Sequence, residues 1–325
     1  MENKPKNYLN DEHLSIGTRE YLRVLNAGGR PVESLPVAEA RKVLADVQAA
    51  VEVDLSGIDE REREIVADGH ALTLHLVRPH GSRGRLPYFV FIHGGGWVLG
   101  DYPTHRRLIR DLVVESEVAA VFVDYTPSPE AKYPQAVDEI YDAVKWVAEN
   151  DAELDLDRRR MALVGNSAGG NMALAAALLA KKRHAPAVRA LVLLWPVTSA
   201  SSDWKSYALY GGERFLTAPL MKWMFGKYVS DPAQRGNDLM SPVRASAERL
   251  RGLPATLIVV AENDILRDEG EAMGRRLDEA GVEVTTVRFN GVVHDWGMLN
   301  GFAALHPTRT LIRLVGSVLR DYLEK

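Results

Sequence analysis

Apolar residues in this chain gather into short runs separated by longer amphipathic stretches. Pro87–Ile92, Val118–Val123, Met161–Val164, Ala190–Trp195 and Ala255–Ala261 are too short for helices and too apolar for half-exposed strands, so they predict strands buried on both faces. Ala71–Val77 and Glu283–Phe289 alternate instead, as strands with one wetter face do. Between them, Val137, Ile140, Tyr141, Val144 and Val147 recur at helical spacing and predict a helix over Tyr133 to Asn150. Ala40, Val43, Leu44 and Val47 do the same for Val37 to Val51. Alternating strands and helices predict an α/β fold: a mostly parallel central sheet of about eight strands, flanked by helices on both faces.

That rhythm stops between Pro196 and about Leu250, where aromatic residues accumulate instead. Thr217 is a suitable N-cap there, and Leu220, Trp223, Met224, Lys227 and Tyr228 fall on one helical face. The expected organisation is an N-terminal helical cap segment over residues 1–55 and a first core part over 56–196. A cap insertion over 197–250 and a second core part over 251–325 complete it. The insertion and the N-terminal helices are expected to roof a site together.

Chemistry concentrates at the strand ends. Gly165-Asn166-Ser167-Ala168-Gly169 stands between the run Met161–Val164 and the helical stretch Asn171–Ala180. A G-x-S-x-G in that setting is a nucleophile elbow, a turn sharp enough to lift the hydroxyl clear of the backbone. The helix that follows favours negative charge at its start. His93-Gly94-Gly95-Gly96-Trp97 closes the run Pro87–Ile92, and bare glycine amides are what an oxyanion hole needs. Asp264 follows Ala255–Ala261, and His294 follows Glu283–Phe289, so both lie just past strand ends, in the order nucleophile, acid, histidine. Asp268 and Glu269 compete for the acid role but sit at a helix start, where carboxylates usually complement the dipole.

With these motifs the chain resembles the hormone-sensitive-lipase-like family of α/β-hydrolase carboxylesterases over roughly residues 45 to 325. Tyr125–Glu130, Lys132-Tyr133-Pro134 and Ser241-Pro242 strengthen the likeness. The resemblance implies a Ser167–His294–Asp264 triad and an oxyanion hole from the N–H groups of Gly95, Gly96 and Ala168. Trp97, Trp223 and Phe225 are the expected substrate-binding residues. Three positions depart from the family pattern. Asn166 stands where members carry aspartate, Thr126 removes the arginine of Tyr-Arg-Leu-Ala-Pro-Glu, and Asp295 replaces the glycine after the catalytic histidine. A carboxylate beside His294 is expected to raise the imidazole pKa.

Composition narrows the partners. A net charge of -4 gives no electrostatic case for nucleic acid or anionic membranes. Without cysteine the site has no thiolate chemistry. Met1–Asn7 lacks the apolar core of a signal peptide, and no run reaches membrane-spanning length, so a cytoplasmic protein is expected. No cofactor and no metal is expected, and the partner is a small-molecule ester with a short- to medium-chain acyl group. A homodimer through the alternating eighth strand is possible. The competing readings are a peptidase or lyase on the same scaffold, or a binding protein such as the gibberellin receptors. All three triad candidates are present, which disfavours the last.

Overall fold

The computed structural model of the chain describes residues 7–324. Its helices and strands, in chain order, begin with α1 (Ile16–Leu25), α2 (Val37–Ala49), β1 (Ile58–Ala67), β2 (His70–Pro79), β3 (Leu86–Ile92), α3 (Tyr102–Ser116), β4 (Ala119–Asp124) and α4 (Gln135–Glu149). They continue with β5 (Leu156–Asn166), α5 (Ala168–Arg183), β6 (Ala190–Leu194), α6 (Lys205–Tyr210), α7 (Ala218–Tyr228), α8 (Ala247–Leu250), β7 (Ala255–Asn263), α9 (Arg267–Glu279), β8 (Val284–Val293) and α10 (His306–Glu324).

All eight strands join one sheet of order β1-β2-β4-β3-β5-β6-β7-β8. The pairs from β4 through β8 are parallel, whereas β1 and β2 form an antiparallel hairpin that attaches to β4. The sequence pattern did not predict β1, because its residues are largely exposed and charged. Its turn, Asp68-Gly69, takes positive φ at both positions, the geometry that matches a two-residue hairpin to strand twist.

The sheet order reverses at β3, which has β4 on one side and β5 on the other. Right-handed crossovers therefore send the connections on either side of β3 to opposite faces. Accordingly α3 packs against α10 and α4 packs against α5. Such a reversal opens a crevice at the carboxyl ends of the two central strands. Ile92 pairs with Gly165 at those ends, so the glycine loop and the serine turn emerge side by side.

The insertion carries α6, α7 and α8. Thr217 caps α7 through its hydroxyl, which accepts from the Leu220 N–H. The buried face of α7 is Leu220, Met221, Met224, Phe225 and Tyr228. Trp223 and Lys227 lie off that face, contrary to the sequence pattern, with the Lys227 ammonium 5.5 Å from the centre of the Trp223 ring. Met221 and Phe225 take their places because they point at apolar neighbours, while an ammonium stays wet.

The N-terminal segment is threaded through the same region. The Ser15 N–H donates to the Gly291 carbonyl at 2.9 Å, and the Asn263 side chain donates to the His13 carbonyl at 2.8 Å. Asp11 and Arg214 form an ion pair at 2.6 Å with both side chains buried.

Candidate active site

Ser167 takes φ 54° and ψ -121°, a conformation a non-glycine residue holds only under constraint. The constraint is visible in its neighbours. A β-carbon on Gly165 would lie 2.3 Å from the Gly169 carbonyl oxygen, and one on Gly169 would lie 2.0 Å from that of Ile92. Only glycines let the strand, turn and helix approach this closely. The Ser167 N–H donates to the Leu194 carbonyl, and the Ser167 carbonyl accepts from Val197, which fix the turn to β6.

The hydroxyl so presented meets the predicted partners. His294 Nε2 lies 2.9 Å from Ser167 Oγ, and its Nδ1 lies 2.7 Å from Asp264 Oδ2. The second oxygen of Asp264 accepts from the Leu266 N–H at 3.0 Å. A carboxylate cannot donate, so Nδ1 carries the proton and Nε2 is free to accept one from the serine. All three side chains are buried. Burial of the ring pulls its pKa down, but the charges of Asp264 and Asp295 and the hydrogen bond to Asp264 outweigh that and hold it above the ordinary imidazole value.

Asp268 and Glu269 do not approach the imidazole; they bind the insertion. Glu269 Oε1 accepts from the N–H groups of Thr198 and Ser199, and Asp268 accepts from Ser206. Their role is wider than the dipole complementation expected of them.

The glycine loop faces the elbow. The N–H groups of Gly95, Gly96 and Ala168 have no hydrogen-bond acceptor among the described residues. Ala168 opens α5, so its amide sits at the positive end of a helix. His93 anchors the loop: its Nδ1 donates to the Gly94 carbonyl at 2.8 Å and its ring stacks on Tyr125. Burial drives the His93 pKa down to about 4, so the anchor stays neutral.

Trp97 is fully buried, stacked on Tyr228 at 4.5 Å and tilted against Phe225 at 5.1 Å. Two of the three expected substrate-binding residues, Trp97 and Phe225, thus join the glycine loop to α7, while Trp223 is half-buried outside that cluster. Met224, which the sequence places on the apolar face of α7 but not at the site, has its sulfur where a β-carbon on Gly96 would lie 2.0 Å away. Its place on that face, one residue before Phe225, was the available signal.

The departures from the family pattern find partners. Asn166 Oδ1 accepts from the Gly94 N–H at 2.9 Å, and its Nδ2 donates to Asp295 Oδ1 at 3.1 Å. The Thr126 N–H donates to Glu139 Oε2 at 2.8 Å, while Glu130, which keeps the family pattern, pairs with Arg41 of α2, itself a donor to the carbonyls of Val98 and Ser128.

A family profile describing the alpha/beta hydrolase fold matches residues 89–298. The chain belongs to the hormone-sensitive-lipase-like family of α/β-hydrolase carboxylesterases. It is 33% identical to an ethyl acetate hydrolase of Pseudomonas putida over 85% of this chain and 89% of that one. It is 32% identical to an arylesterase of Saccharolobus solfataricus, over 81% of this chain and 83% of that one. A thermostable esterase from Pseudomonas putida superimposes with a TM-score of 0.95 at 48% identity, over 97% of this chain and 99% of that one. In this family, buried hydroxyl, imidazole and carboxylate in a row fit ester hydrolysis.

Proposed function

We propose that this carboxylesterase cleaves short-chain acyl esters through an acyl-enzyme on Ser167. The reading is carried by one geometry: a single imidazole within hydrogen-bond reach of both Ser167 Oγ and Asp264 Oδ2. His294 Nε2 takes the hydroxyl proton as Oγ attacks the ester carbonyl. Asp264 holds the tautomer and stabilises the imidazolium that results. The negative oxygen of the tetrahedral intermediate is received by the N–H groups of Gly95, Gly96 and Ala168. Collapse expels the alcohol, protonated by His294, and water then repeats the cycle to release the acid.

The short-chain preference rests on Met224 and Phe225, which fill the space beside the glycine loop. The ethyl acetate hydrolase among its relatives points the same way. The remaining side of the proposal is a soluble protein whose β8 edge can pair with a second copy. A series of p-nitrophenyl esters from acetate to decanoate tests the substrate class, with turnover expected to fall beyond butyrate. Ser167→Ala should lower kcat by roughly a millionfold, as for a triad acting as a unit. Retained turnover in that variant, or flat rates along the series, would remove the reading.

A further inference from the structure

We propose that Asn166 and Asp295 form a coupled pair of positioning residues, in which the Asp295 carboxylate, set beside the Nε2 edge of His294, extends the pH range of the base, and the Asn166 amide is what allows a carboxylate there. The inference rests on the reading of His294 as the base.

Asp295 is almost fully buried, yet its charge is divided between two functions. Its Oδ1 receives the Trp195 indole N–H at 2.6 Å and the Asn166 amide at 3.1 Å. Its Oδ2 faces the imidazole, 3.7 Å from Nε2. Residue 295 takes φ 58°, a left-handed conformation that glycine adopts freely and that a side chain holds only when it is fixed.

The direction of the Asn166 amide is settled by its other contact. Gly94 N–H is a donor, so the oxygen of Asn166 faces Gly94 and the nitrogen must face Asp295. Aspartate at 166 would still accept from Gly94 but would have no hydrogen for Asp295. Two buried carboxylates would then meet, and one would have to take up a proton. Asn166 therefore ties the glycine loop, the elbow and the histidine loop through one side chain.

The charged surroundings of His294 are few. Asp264 faces Nδ1 and Asp295 faces the Nε2 side. Glu269 on α9 and Tyr207 on α6 face Asp264 in turn, and burial raises the pKa of both well above their ordinary values. Two anions thus bracket one imidazole, in keeping with the upward direction of its pKa.

Asp295→Asn is a close isostere: its oxygen can keep both Oδ1 hydrogen bonds, while the charge is lost and the atom facing Nε2 becomes an amide nitrogen. Two readouts are compared with wild type: the acidic limb of kcat/KM on p-nitrophenyl acetate, and the NMR titration of the His294 ring. Both should move to lower pH by at least about one unit, the lower bound that Coulomb's law gives with a water-like dielectric over this separation, because burial of the pair lowers the effective dielectric. Asn166→Asp should lower kcat/KM by about tenfold or more through the facing carboxylates, and Asn166→Asp with Asp295→Gly should recover most of that loss. Superimposed titrations of Asp295→Asn and wild type would overturn the charge role, and a double variant no better than Asn166→Asp would overturn the coupling. A wild type inert toward esters would sink the esterase reading separately, while the NMR titration would still decide this one.

Discussion

Met224 of the insertion lies directly against Gly96 of the glycine loop, so the insertion and the amides proposed to bind the oxyanion share a contact surface. Residue 96 also has φ 60°, so a side chain there is disfavoured by backbone and by space together. Gly96→Ala should therefore push the loop away and cost about a hundredfold in kcat, the scale of losing one oxyanion donor. Adding Met224→Ala should recover part of it. Steady-state kinetics of the two variants checks this, and equal losses would show that the methionine is not the obstacle.

The α7 residues should separate into two behaviours. Phe225 is buried against Trp97, so Phe225→Ala should cost about 3–5 kcal/mol of stability and loosen chain-length preference as well. Met224→Ala should shift the preference toward longer acyl groups. Trp223 stands off the buried face, so Trp223→Ala should move neither by much. Urea titrations beside an ester-length series distinguish them. A longer-chain optimum in Trp223→Ala alone would reverse the assignment.

The Asp11–Arg214 pair joins residues far apart in the chain, both buried. Asp11→Ala leaves a guanidinium without that carboxylate and should cost about 3–5 kcal/mol. Replacing both by apolar residues of similar size should cost far less. Denaturation midpoints of the single and double variants measure the difference, and equal midpoints would mean the pair contributes nothing.

Glu269 bears on stability against pH. Burial raises its pKa well above the ordinary carboxylate range in the folded chain. Above that ordinary range the unfolded chain releases this proton while the folded chain keeps it, so the folded state grows less favoured as pH rises toward the folded pKa. Glu269→Gln keeps an oxygen for Thr198 and Ser199 and has no proton to release. Its stability should therefore decline less than that of wild type from mildly acidic to neutral pH. Parallel curves from urea melts across that range would show that Glu269 does not titrate as argued.

What could be read from the sequence is what depends on neighbours in the chain. The strand, turn and helix around Ser167 are consecutive, and steric demand writes its glycines directly into the motif. Asp264 and His294 were recognisable because each follows a strand, an apolar one before Asp264 and an alternating one before His294. β1 was not, since an exposed strand of an antiparallel hairpin carries charges rather than an apolar run, although Asp68-Gly69 marked its turn. The Asn166–Asp295 bond and the contact of Met224 with Gly96 join segments that only the folded sheet brings together. Asn166 and Asp295 stood out as anomalies, but nothing in the order of residues said that each answers the other.

Residues 7–50 act as a girdle around the proposed machinery. At one end they grip the loops that carry the acid and the imidazole, through His13 and Ser15. At the other, Arg41 clasps the backbone beyond Trp97. Loosening that belt would slacken both halves of the catalytic arrangement at once, without touching a single reacting atom.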